Sequence, residues 1–283
     1  MTIQIGQYRL GQFIDYLPYT GLKQWVYPGG EVGISMPHAD KSDSLLARVK
    51  SSDDFMQLLQ VATCIPKRQR KNLIMPYFPY ARQDRDQGSM PCALRIAVDI
   101  IDQLGFDNLL VADPHSVALQ AMFKNTRVEV LGNRALHQEA QTIAHKATAL
   151  VMAPDAGAAK RAMELAQLLN CPYSVTLKTR EPETGHLKLA KLGDIPEGTD
   201  KIIVLDDICD GGYTFGGLAK EIRKVSNASL HLLVTHGIFS GNFAANLELY
   251  NQVVTTDSFK THYDSEKKTF EEAGINFYVV KIL

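Results

Sequence analysis

The sequence predicts an α/β protein of two doubly wound parallel-sheet domains related by internal duplication, covering residues 1–132 and 133–283. Three observations carry this. Apolar runs of strand length alternate with helical patterns almost from end to end, the order expected of parallel sheets covered by helices on both faces. The pattern runs twice, with a break near Gly132 to Arg134 before a fresh helix. Finally, the polar clusters RQDRD, DPHS, PDAG and DDICDGG each follow the end of a predicted strand, where ligands bind in open parallel sheets.

The elements read in order. KNLIMPYF is a strand, and residues 91–104 form a helix with Leu94, Ala97, Val98 and Ile101 on one face. Pro91 suits its first turn and Gly105 its C-terminal cap. DNLLVAD is the next strand, and Leu136, Ala140, Ile143 and Ala147 mark the next helix. TALVMAP, a helix through Ala162, Leu165, Ala166 and Leu169, YSVTLK, KIIVLDD, a helix over residues 214–225 and HLLVTHG complete the alternation. Residues 180–193, polar with one Pro and two Gly, predict a mobile loop or hairpin, and residues 275–283 a last strand.

Composition narrows the function classes. A chain of 283 residues can bury two cores, and 45% hydrophobic with 22% charged residues is ordinary for a globular protein. Thirty basic against 31 acidic side chains leave a net charge of −1, which argues against a nucleic-acid binder that neutralises phosphates. Cys64, Cys92, Cys171 and Cys209 form no C-x-x-C pair and read as buried small hydrophobes. The first ten residues lack a signal pattern, and no apolar run reaches membrane-spanning length, so the expectation is a soluble cytoplasmic protein without a membrane partner. The basic run KRQRK, Lys67 to Lys71, is expected to end a helix and complement its dipole.

The most specific chemical signal is KIIVLDDICDGGYTFGG. An apolar strand runs into Asp206 and Asp207, then Asp210, Gly211, Gly212, Tyr213 and Thr214 open a helix. Glycines let a backbone approach an anion, and free N–H groups at a helix start point toward it. The paired carboxylates suit vicinal sugar hydroxyls, while the bland alternative is an acidic N-cap.

This segment resembles the phosphoribosyl pyrophosphate loop, D-D-x-x-D-T-G-G-T, shared by phosphoribosyltransferases and ribose-phosphate pyrophosphokinases. Asp206, Asp207, Asp210, Gly212 and Thr214 match; Gly211 stands in place of Thr and Tyr213 in place of Gly. MPYFPYARQDRD is similar to the pyrophosphokinase signature I-P-Y-F-x-Y-A-R-Q-D-R, which transferases lack. The resemblance implies phosphoribosyltransferase-like domains and an enzyme taking ATP and ribose 5-phosphate with Mg²⁺. It implies that Arg82 and Gln83 contact ATP, a role that a guanidinium fork suits. Without the family, RQDR would read as a solvated salt-bridge face.

Further segments extend the likeness over about residues 25–260. VADPHS resembles V-D-L-H and implies a Mg²⁺-site role for His115, although imidazole is not a preferred Mg²⁺ ligand. APDAGAAKRA is similar to S-P-D-x-G-G-x-x-R-A and makes Asp155 the metal-associated carboxylate, with Ala158 replacing a Gly; Asp155 also fits a plain N-cap. VTLKTREP resembles the strand carrying a K-x-R pair, which implies Lys178 as the catalytic residue assisted by Arg180. Alternate residues of a strand face one side, so both can address the same phosphates. THGIFSGNFAANL matches another segment at His236, Ser240 and Gly241. YPGGEV resembles F-S-D-G-E-V, whose residues reach adenine across a subunit interface; Tyr27 and Glu31 match in kind, and Gly29 replaces the acid. This implies a homo-oligomer, at least a dimer, with a hexamer within range. The loop DQGSMP after Arg85 lacks the arginines of an allosteric anion site, so weak control by phosphate and ADP is expected unless arginines such as Arg48 or Arg134 supply one from the surface. Two alternatives remain open: a phosphoribosyltransferase, which shares the acid loop but not RQDR, and a non-catalytic regulatory homologue of the synthetase.

Overall fold

The structure, a computed structural model, describes residues 2–9, 12–15, 22–37, 39, 42–180 and 187–282; at 2, 13–15, 178–180 and 187–190 it describes backbone only. Two compact units divide the chain. One comprises Met1–Gly132 with Ser258–Thr261 and Ile282–Leu283, the other Asn133–Asp257 and His262–Lys281.

In the first unit the elements are β1 (Thr2–Arg9), β2 (Gln12–Asp15), β3 (Lys23–Val26), β4 (Val32–Ser35), β5 (Ser44–Arg48), α1 (Ser52–Cys64), β6 (Asn72–Ile74), α2 (Ala93–Asp102), β7 (Asn108–Ala112), α3 (Ala118–Met122) and β8 (Arg127–Leu131). Strand order is β2-β1-β5-β6-β7-β8. β5 to β8 are parallel, while β1 runs antiparallel to both neighbours. Because β5 to β8 follow one another in a single direction, right-handed crossovers place the connecting helices on one face. There Leu45, Leu73, Leu109 and Val111 pack with Phe55, Leu58 and Val61 of α1, Leu94, Val98 and Ile101 of α2, and Leu119 of α3. The alternate residues Leu46, Ile74 and Leu110 make a separate, smaller cluster.

KNLIMPYF is only partly strand. β6 ends at Ile74, although Met75 still donates to Leu110 O at 2.9 Å. Pro76 has no N–H to continue the ladder. The basic run does not end α1 but forms a separate 3₁₀ turn, Lys67–Gln69. Arg70 from that run is structural: it donates to the carbonyls of Ile65 and Leu104 and lies 6.0 Å from the Phe106 ring centroid. Gly105, at φ 74°, does make the turn expected after α2.

The second unit contains α4 (Arg134–Ala144), β9 (Ala149–Ala153), α5 (Ala159–Leu169), β10 (Tyr173–Val175), β11 (Leu177–Arg180), β12 (Leu187–Lys191), β13 (Lys201–Cys209), α6 (Tyr213–Arg223), β14 (Ser229–Gly237), α7 (Phe243–Asn246), β15 (Gln252–Thr256), α8 (Asp264–Glu272) and β16 (Asn276–Val280). Its main sheet is wholly parallel, in the order β10-β9-β13-β14-β15-β16. The winding reverses at β9, so helices cover both faces. Leu136, Ala140, Ala162 and Leu165 pack on Val151, Ile203 and Leu233, while Phe215, Leu218, Ile222 and Phe270 pack on Ile202, Val204 and Leu232. The reversal leaves a crevice at the carboxyl ends of β9 and β13, the usual ligand position in such sheets. YSVTLK divides into two strands. β10 joins the main sheet, and β11 turns away to pair antiparallel with β12 as a hairpin. The hairpin alternative predicted for residues 180–193 is therefore found, with residues 181–186 outside the described ones.

Candidate active site

In the second unit, β13 delivers Asp206 and Asp207 while still hydrogen-bonded to β14, and the chain then turns through Asp210, Gly211 and Gly212 into α6. Gly212 adopts φ 79°, and a Cβ there would meet Asn246 and Leu247 side-chain atoms at 3.2 Å, so glycine is required twice over. α6 has no side-chain N-cap bond, which leaves its first N–H groups facing outward. Three side chains brace the turn. Asn246 Nδ2 donates to Gly211 O at 2.7 Å, Ser240 Oγ donates to Asp210 Oδ1, and Asp207 N–H donates to Asp206 Oδ1 at 2.9 Å. Gly216 lies so close to the end of α7 that a Cβ would sit 2.3 Å from Asn246 O. Gly216→Ala is therefore expected to cost about 1–3 kcal/mol. A denaturation midpoint unchanged from wild type would show that the turn at Asn246 yields instead.

The two aspartates stay close enough for their side chains to hydrogen-bond, yet alternation along the strand gives them different further partners. Asp207 is buried and turns toward α5, where Arg161 Nη2 lies 3.6 Å from its Oδ2. Burial, then the neighbouring Asp207 charge and, further down, that of Asp155 push the Asp206 carboxyl well above the usual range. Asp155 caps the turn before α5, accepting from Gly157 N–H at 3.0 Å. The N-cap reading of Asp155 thus holds geometrically. These are hard oxygen donors in a field that a divalent cation would relieve. No group of three or more His, Cys, Asp or Glu forms a ready cation cage among the described residues. One or two carboxylates plus substrate oxygens is the usual Mg²⁺ arrangement, and Asp155 fits it.

In the first unit, buried Tyr77, Phe78 and Ala81 anchor the loop after β6, and Arg82 and Gln83 follow exposed. Tyr77 packs edge-on to Phe259, centroids 5.3 Å apart, and Phe78 to Phe123 at 6.1 Å. The aromatic run is thus a foundation beneath the exposed Arg82–Gln83 turn. Gln83 N–H donates to Tyr80 O and Gln83 O accepts from Leu94 N–H, tying this turn to the start of α2. His115 lies exposed after β7, just past Asp113. Tyr27 and Glu31 flank the turn of the β3–β4 hairpin, with Tyr27 N–H donating to Glu31 O at 2.8 Å. Both are exposed. DQGSMP closes on itself through reciprocal Gln87–Met90 backbone bonds of 3.0 Å. Arg48 is not a surface arginine: at 3% exposure it is buried at the end of β5 and cannot supply a surface anion site.

Three non-glycine residues with positive φ mark these same loops: Tyr80 at 60°, Asp113 at 37° and Phe239 at 52°. Such conformations cost of order 1–3 kcal/mol and concentrate where function requires them. Positions 178 and 180 lie in β11, with their side chains outside those described. Sequence reasoning missed Arg161 and Asn246. Arg161 stood in the quoted APDAGAAKRA segment and could have been singled out there; nothing in the sequence pointed to Asn246.

The described geometry defines an α/β protein with parallel sheets and an acidic, glycine-bearing loop at the topological switch of its second unit. The fold is that of the phosphoribosylpyrophosphate synthetase from Mycobacterium smegmatis, which superimposes with a TM-score of 0.77 over 93% of this chain and 86% of that one at 21% identity. In sequence the chain is similar to ribose-phosphate pyrophosphokinases. That of Hyphomonas neptunium is 28% identical over 74% of this chain and 69% of its own length. The Marinomonas enzyme is 29% identical over 74% and 67%. Ribose-phosphate pyrophosphokinase 3 of Saccharomyces cerevisiae is 28% identical over 78% and 71%. No family model matches the chain. The resemblance to this family is thus borne out by relatives that match 74–78% of the chain.

Proposed function

We propose that this chain is a ribose-phosphate pyrophosphokinase. The 1-hydroxyl of ribose 5-phosphate attacks the β-phosphorus of ATP; the new O–Pβ bond forms as the α,β-bridge breaks, giving phosphoribosyl pyrophosphate and AMP. The observation that carries this reading is the Arg82–Gln83 turn, raised on buried aromatics, in a chain that also holds the acid loop at the start of α6. The acid loop alone would serve a phosphoribosyltransferase equally well. Asp206, Asp210 and the backbone of residues 211–214 receive the sugar phosphate, with Asp207 holding the loop from below. Arg82, Gln83, Tyr27 and Glu31 bind ATP, and Lys178 and Arg180 stabilise charge on the transferred group. Asp155 and His115 are the residues assigned to Mg²⁺, which when bound would neutralise phosphate charge. Positioning and charge neutralisation are all the protein must supply.

Purified chain given ribose 5-phosphate, ATP and Mg²⁺ is expected to release AMP. Consumption of supplied phosphoribosyl pyrophosphate with a base, but no AMP release, would indicate a transferase. Binding without either reaction would indicate a regulatory homologue.

A homo-oligomer, at least a dimer, accompanies this reading. The β3–β4 hairpin exposes Trp25, Val26 and Tyr27 at 38%, 62% and 49%, an apolar tip of the sort that marks interaction sites. Light scattering is expected to show at least a dimer at assay concentration; an active monomer would overturn the assembly. A cytoplasmic location suits four unbridged cysteines, and among the described residues no helix is long and apolar enough to cross a membrane.

A further inference from the structure

Gly211 and Tyr213, the two departures in the acid loop, are a single contact. Gly211 has no positive φ, so its backbone would accept any residue. What a side chain there would meet is the Tyr213 ring: a Cβ would lie 3.0 Å from Cε2 and 3.2 Å from Cδ2, with the next atom, Ser240 O, at 3.8 Å. The ring therefore rests in the volume that a residue at 211 would fill. It is 76% exposed all the same, standing at the first residue of α6 beside the outward N–H groups. Its seat is fixed from below, because Asn246 Nδ2 holds Gly211 O and Gly212 cannot take a side chain.

We propose that Tyr213 is a specificity-determining residue, an aromatic wall beside the sugar-phosphate loop that is held in place by the missing side chain at 211. It offers an apolar face to the C–H side of a phosphorylated sugar, while Asp206 and Asp210 address its hydroxyls. The identity of the ligand rests on the pyrophosphokinase reading; the interlock of ring and glycine does not.

The test is a four-protein cycle: wild type, Gly211→Thr, Tyr213→Gly and the double variant. Gly211→Thr should drive the ring off its seat and raise KM for ribose 5-phosphate about tenfold, within the coupling expected of side chains in contact. Tyr213→Gly should raise the same KM by about threefold, through loss of the wall. The double variant, whose threonine no longer meets a ring, should fall below Gly211→Thr alone, and KM for ATP should stay within about twofold throughout. Independent effects that simply multiply would refute the interlock, and a lower KM in Tyr213→Gly would refute the wall. The rise in thermal midpoint produced by ribose 5-phosphate reads the same cycle without turnover. An inactive wild type that still binds the sugar phosphate would defeat the pyrophosphokinase reading but leave this inference standing. A wild type that ribose 5-phosphate does not stabilise would overturn it.

Discussion

Lys178→Ala is expected to lower kcat by about two to three orders of magnitude, the usual cost of removing one group aimed at developing charge. KM for ATP should change little, because an interaction made mainly in the transition state contributes to turnover and not to ground-state binding. The ground is the K-x-R segment together with the departure of β11 from the main sheet. A strand that leaves the sheet can carry a cation toward phosphates that a sheet residue could not reach. Single-turnover and steady-state AMP release would separate the two parameters. A variant with near-normal kcat removes Lys178 from the role, and a large rise in KM with kcat preserved makes it a binding residue.

Breaking the Arg161–Asp207 pair should have the largest effect on stability. Removing one partner of a buried ion pair costs about 3–5 kcal/mol, because the other charge is stranded. Arg161 keeps some exposure, so Arg161→Met is expected at about 2–3 kcal/mol, discounted for solvent screening. Adding Asp207→Asn should restore a good part of that loss, since the pair itself is worth less than the penalty of leaving half of it. Denaturant unfolding of the three proteins measures this directly. A loss below about 0.5 kcal/mol in Arg161→Met would show that Asp207 is held by its other partners. The pair has a functional side as well: it joins the helix that follows Asp155 to the strand that carries Asp206. KM for ribose 5-phosphate should therefore rise in Arg161→Met even at temperatures where the fold is intact.

The alternation of strand and helix was legible because parallel strands buried on both faces read as unbroken apolar runs. ALVMA in β9 is buried at every position, and LHLLVTHG of β14 likewise. α2 and α6 were legible from their periodic apolar positions, to within two residues at each end. The first 35 residues were not, since β1 to β4 are antiparallel and β3 is exposed throughout. Such strands leave no continuous apolar signal. The acid loop and the RQDR turn were legible because their chemistry is local in sequence, a few polar residues placed by one glycine-rich turn or one aromatic run.

What the sequence determined by itself, then, was the alternation, the ends of the strands and the residue types gathered there. Tertiary structure decided which neighbours those residues meet. Successive aspartates looked equivalent until packing buried Asp207 beside Arg161, 46 positions earlier in the chain, and left Asp206 half-buried. Arg48 looked like a surface arginine until β5 became an interior strand of the sheet. YSVTLK looked like one strand until its first half found β9 and its second half β12. Gly211 and Tyr213 looked like two separate departures until α6 placed the ring of one over the backbone of the other. In each case the deciding contact joins parts of the chain through packing. Periodicity reports only the face a residue takes on its own element, so the partner across that face had to come from the fold.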